Sequence, residues 1–120
     1  MTFDVEIVLR EQNSAVTERL QHPVDAAAWT ETDVEAVLKE ILLAIDRVKN
    51  PAVTDRYVAL RGFSWIVEPT PEGVVIAIEI PMGAAVAGPF AIAQADLNAR
   101  IDRVLRAERE LSAVRPTTVH

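Results

Sequence analysis

The run from Arg56 to Ile80 constrains this chain more than any other stretch. Residues 56–67 and 74–80 are rich in aromatic and β-branched side chains, and Thr70-Pro71-Glu72-Gly73 separates them. Proline at the second turn position and glycine at the fourth are type I turn preferences. Short β-branched runs on either side of a turn predict an antiparallel hairpin. Gly62 interrupts the first run and marks a bulge or a close backbone approach.

A two-residue loop sets the register of this hairpin. Ser64 then faces Glu79, Phe63 faces Ile80, Trp65 faces Ile78 and Val67 faces Ile76. Side chains alternate across a strand. One face therefore carries Phe63, Trp65, Val67, Val74, Ile76, Ile78 and Ile80, all large and apolar. The other carries Ser64, Ile66, Glu68, Val75, Ala77 and Glu79. The first face belongs under helices and the second stays open.

Two helices are available to cover it. Val34, Val37, Leu38, Ile41, Leu42, Ile45 and Val48 recur at spacings of three and four, which makes one apolar stripe. Thr32-Asp33-Val34-Glu35 reads as its capping box, and Asn50-Pro51 stops it. A second stripe, Leu97, Ile101, Val104, Leu105 and Leu111, follows a start near Gln94 to Asp96. Glu108 interrupts that stripe, so its last turns are expected to leave the core, and the tail 115–120 to fray. Near the N-terminus, Phe3, Val5, Ile7 and Leu9 alternate with polar residues as in a half-buried strand, and 15–20 read as its hairpin partner.

The fold class that follows is α+β: one domain over 1–120, two layers, a three- or four-stranded antiparallel sheet with two helices on one face. Asp33-Val34-Glu35-Ala36 aligns with Asp96-Leu97-Asn98-Ala99 at an offset of 63, and the later stripe positions follow. That offset suggests a ββα-ββα pseudo-repeat.

The composition removes several chemistries. The chain has no cysteine, so disulfides, thiolate nucleophiles and cysteine metal sites are excluded. Its histidines are His22 and His120, and no His-Glu-x-x-His or calcium-loop spacing occurs, so no metal and no cofactor is expected. The net charge of −6 is the wrong sign for a general nucleic-acid binder. Residues 74–93 are nearly all apolar and long enough to span a bilayer. Glu79, Pro81, Gly83, Gly88 and Pro89 break any helix there, so no membrane span is expected. The N-terminus lacks a signal-peptide pattern, and the chain reads as cytoplasmic.

Three motifs resemble functional ones. Gly83 to Gly88 has phosphate-loop glycine spacing, but Pro89 and Phe90 stand where Lys and Ser or Thr belong. Gly62-Phe63-Ser64-Trp65-Ile66 begins like a nucleophile elbow and lacks the second glycine, so no catalytic residue is assigned. Arg61 to Glu68 resembles the base-stacking strand of RNA-binding RRM domains, which implies RNA binding through the 61–68 strand. Its eighth position should be aromatic and is Glu68. Pointing Phe63 and Trp65 to solvent would also expose the Val and Ile side chains that share their face, at about 1.5–3 kcal/mol each.

The expectation is a small interaction or assembly protein without catalytic activity. It would self-associate as a homo-oligomer through the open sheet face and a small-residue loop over 81–90. The interface residues would be Ile66, Val75, Ala77, Met82, Val86 and Phe90. The alternative is a small-ligand binder or enzyme with its site at Ser64 and Glu79 beside the 82–90 loop.

Overall fold

The computed structural model describes residues 1–11, 15–53, 55–56, 58–60 and 62–114, with side chains through Glu110. The chain runs β1 (Thr2–Leu9), β2 (Val16–Gln21), a short 3-10 turn (Ala26–Ala28), α1 (Glu31–Lys49), β3 (Ser64–Thr70), β4 (Gly73–Ile80), β5 (Gly83–Phe90) and α2 (Gln94–Val114). The strands form one antiparallel sheet in the order β2-β1-β5-β4-β3.

The class is α+β, as expected, but the sheet has five strands and not three or four. The added strand is β5, built from the segment read as a small-residue loop over 81–90. Its composition hides it: Gly83-Ala-Ala-Val-Ala-Gly-Pro-Phe90 holds few of the residues that favour strands. Its neighbours impose the conformation, because β1 and β4 pair with it on both sides. At Gly83 an added Cβ would lie 1.9 Å from the Val8 carbonyl oxygen, so only glycine lets β5 approach β1 there.

The pseudo-repeat is corrected in the same way. The offset of 63 does relate Glu31 to Gln94, the first residues of the two helices. It carries β2 onto 79–84, however, which straddles the β4–β5 turn. The order is ββα-βββα, and the second unit has no counterpart of the β1–β2 hairpin alone.

The β3–β4 register matches the reading from sequence: Ser64 pairs with Glu79, Trp65 with Ile78 and Val67 with Ile76. The strand starts later than residue 56, because the chain before it is held by side chains. Arg56 donates to Asp46 at 2.6 Å and to the Asn50 and Val53 carbonyls, which ties Arg56 to the end of α1. Helix α1 starts earlier than expected. Thr30 is its N-cap, and the reciprocal box joins Thr30 to Asp33, not Thr32 to Glu35.

The core lies between the helices and one sheet face. Phe3, Val5, Ile7 and Leu9 of β1, Ile76 and Ile78 of β4, and Ala85 and Ala87 of β5 are buried beneath Val34, Val37, Leu38, Ile41, Leu97 and Ile101. Phe90 has no exposed area and sits between Phe3 and Trp29, with ring centroids 5.1 and 5.0 Å away. It is therefore a core residue, which removes it from the expected interface set. His22 is buried as well: one ring nitrogen meets Asp33 Oδ1 at 3.0 Å and the ring packs edge-on against Trp29. Among the described residues no helix is long and apolar enough to cross a membrane. The tail 115–120 and Arg61 lie outside the described residues.

Candidate interaction face

Among the described residues no helix lies against the second face of the sheet, and its side chains follow from the registers. Cross-strand partners share a face. One row across the sheet is Val8, Ala84, Glu79 and Ser64. The next is Thr17, Glu6, Val86, Ala77 and Ile66. A third row holds Arg19, Asp4 and Gly88, with Val75 and Glu68 on β4 and β3 beyond the β5 irregularity.

These rows place an apolar band obliquely across the face. Val8, Val86 and Ile66 are 46%, 40% and 42% exposed, although each is β-branched and apolar. Ala84, Ala77 and Val75 fill the space between them and are half-buried. Five large hydrophobic residues are exposed among those described, and three stand here. Met82, a fourth, lies at the adjoining β4–β5 turn, where its carbonyl accepts the Arg10 N–H at 2.7 Å.

Carboxylates flank the band. Glu6, Glu68 and Glu79 are exposed and have no ion-pair partner among the described residues. Asp4 is bound by Arg19, its partner across β1 and β2, at 3.0 Å, and Arg10, one same-face step past Val8, is exposed at the end of β1. Glu18, one residue away, points to the helix side and meets Arg47 of α1 at 3.0 Å.

The sheet edge beside Ile66 is partly closed. Pro69 on the edge strand β3 lacks an N–H. The Gln94 side chain at the start of α2 donates to the Val67 carbonyl at 2.9 Å. Both features discourage strand addition there.

The residues expected from sequence divide clearly. Ser64 and Glu79 are cross-strand neighbours, both exposed, on the open face. The 82–90 segment that was to enclose them is largely β5 itself, Gly83–Phe90, and does not close over them as a loop. Ile66, Val75, Ala77 and Val86 share the open face. Val8, Glu6, Ala84 and Arg19 belong to the same face and were not anticipated. Alternation in residues 3–10 put Glu6 and Val8 opposite the core, but nothing in the sequence set β1 beside β5.

A separate hollow of about 490 Å³ lies at the other end of the core. Leu42 and Ile45 of α1, Val58, Phe63, Ile80 and Pro81 line it, with Asp46 and Lys49 at its rim. Asn50 and Arg56 hold the Asp46 carboxyl below the usual carboxylate range, Asn50 having the larger effect. Asp33 is lowered too, first by the Thr30 backbone N–H and then by His22.

Comparison with known protein families, curated proteins and solved structures finds no match.

Proposed function

We propose that this chain is a non-catalytic interaction domain that binds a protein partner through the open face of its sheet. The observation that supports the reading is the oblique band of Val8, Val86, Ala77 and Ile66, whose Val and Ile side chains are exposed on the sheet face opposite the core. Clustered apolar surface rimmed by polar groups is characteristic of binding sites. Self-association, expected from the sequence, is one form of this reading, and a different protein partner is the other.

The test is a photo-cross-linking side chain at position 86, compared with one at Lys39 on α1. The reading expects adducts from position 86 alone, lost when Ile66→Arg is added. Equal adducts from both positions, or none from position 86, refute it.

The hollow beside Leu42 and Phe63 favours a second reading as a small-ligand site, at a different place from Ser64 and Glu79. A ligand there should raise the melting temperature by mass action, and Phe63→Ala should abolish that rise. The RNA-binding reading is not carried forward. Phe63 and Trp65 are half-buried and stack edge-on with centroids 6.4 Å apart, and the Trp65 indole donates to the Leu60 carbonyl.

A further inference from the structure

The charge around the apolar band narrows what can dock on it. Glu6 and Glu79 stand on opposite sides of the line from Val8 to Ile66. Two strand spacings and one same-face step separate them, roughly 12 Å between backbones. That is about the diameter of an α-helix with its side chains. Glu68 lies beyond Ile66 on the Glu6 side. Two unpaired carboxylates thus bracket a strip of Val, Ile and Ala that is one helix wide.

A second copy fits this pattern poorly. It would bring its own Glu6, Glu68 and Glu79 into the contact, three carboxylates without an ion-pair partner among the described residues, and like charges would lose water against each other. Arg19 does not compensate, because Asp4 already holds it. Strand addition fits poorly as well, since Pro69 and Gln94 obstruct the nearer edge.

Resting on the interaction-face reading above, we infer that the occupant is a basic amphipathic helix of a partner protein. It lies along Val8–Val86–Ala77–Ile66, with apolar side chains down and Lys or Arg on both flanks reaching Glu6 and Glu79. Helix docking through spaced apolar anchors is a recurring recognition mode. The flanking cations supply orientation and a salt-sensitive association rate.

The probes are two labelled helical peptides of about 18 residues, long enough to cross the face. One carries leucines at helical spacing with lysines elsewhere, and the other has glutamates in place of the lysines. Fluorescence anisotropy measures binding to the full chain at about 50 and about 300 mM salt. The lysine peptide should bind and weaken with salt, and the glutamate peptide should not bind. Glu6→Lys with Glu79→Lys should weaken the lysine peptide about tenfold or more. Val86→Arg should weaken it comparably, while Glu35→Lys on α1 leaves it unchanged.

Equal binding of both peptides overturns the basic-helix assignment. So does a failure of the lysine peptide to bind, or binding that ignores both Val86→Arg and the double reversal. A light-scattering mass of two chains that returns to one in Val86→Arg also overturns it, but leaves the face as the interaction site with a second copy as occupant. Failure of the open-face reading itself is seen separately, in the cross-linking comparison between positions 86 and 39.

Discussion

The carboxylate of Glu108 on α2 accepts the backbone N–H of Leu60 at 3.4 Å. Leu60 is fully buried, and its carbonyl takes the Trp65 indole N–H at 3.3 Å. Two side chains thus satisfy a segment that lies outside the sheet and cannot use strand partners. Glu108, which interrupts the apolar stripe of α2, serves this backbone group. Its second oxygen is buried without a partner among the described residues. Glu108→Leu should leave the Leu60 amide unsatisfied and cost about 1–3 kcal/mol in urea unfolding. Glu108→Gln keeps the acceptor and should cost less. Faster hydrogen exchange at Leu60 in the Leu variant is the specific readout, and unchanged exchange would show that the bond is not made.

Asp33 links the start of α1 to the β2 end of the sheet. Its carboxylate accepts the Thr30 N–H at 2.9 Å and meets His22 at 3.0 Å. Folding lowers its pKa, chiefly through the Thr30 backbone bond. A group whose folded pKa is depressed stabilises the fold above its unfolded pKa, near 3.9, and loses that contribution as pH falls through the folded value. Asp33→Asn should therefore be less stable than the parent at neutral pH. The gap should close as pH drops below about 4. Chemical unfolding from neutral to acid pH measures this, and a gap that stays constant throughout would count against the charge-specific bond.

Two residues four apart on β5 should respond in opposite ways. Phe90 is enclosed by Phe3 and Trp29, whereas Val86 stands on the open face. Phe90→Ala should cost about 3–5 kcal/mol as an aromatic core truncation. Val86→Arg should change stability by only about 0.5 kcal/mol, as surface changes do. Denaturant midpoints of both variants check the assignment. A large loss from Val86→Arg would mean that this face is not solvent-exposed in the isolated chain.

The difference between these two positions marks how far the sequence could be read. The β3–β4 register was legible, because period-two alternation and one Pro-Glu turn specify it, although the bounds of β3 were not. The α1 cap was displaced because two overlapping patterns, Thr30 to Asp33 and Thr32 to Glu35, both qualify locally. The contact between Asp33 and His22 favours the first, and a local pattern does not contain it. Strand β5 was illegible for a related reason. Its residues have little strand preference, and their conformation comes from β1, far away in sequence, and from β4. With β5 unseen, Phe90 could not be placed in the core, and Glu6, Val8 and Ala84 could not be joined to Ile66, Ala77 and Glu79. The candidate face was therefore half visible: its β3–β4 portion follows from local pairing, and its β1 portion from a long-range one.

Gly83 is where that long-range pairing can be tested most directly. It pairs with Leu9 of β1 and with Ile80 of β4. A Cβ built on it would lie 1.9 Å from the Val8 carbonyl oxygen and 3.0 Å from the Leu9 Cα. Both atoms are backbone, so no side-chain rotation relieves the overlap and β5 would have to move away from β1. Gly83→Ala should cost about 1–3 kcal/mol, as small-to-large changes in packed sites do, even though alanine usually replaces glycine favourably in an extended strand. Ala84→Ser, one residue on and facing outward, is the matched control and should lie within about 0.5 kcal/mol of the parent. Thermal unfolding of the two variants decides the matter: equal melting temperatures would mean that β5 does not approach β1 this closely, and that Glu6 and Val8 do not share a face with Val86.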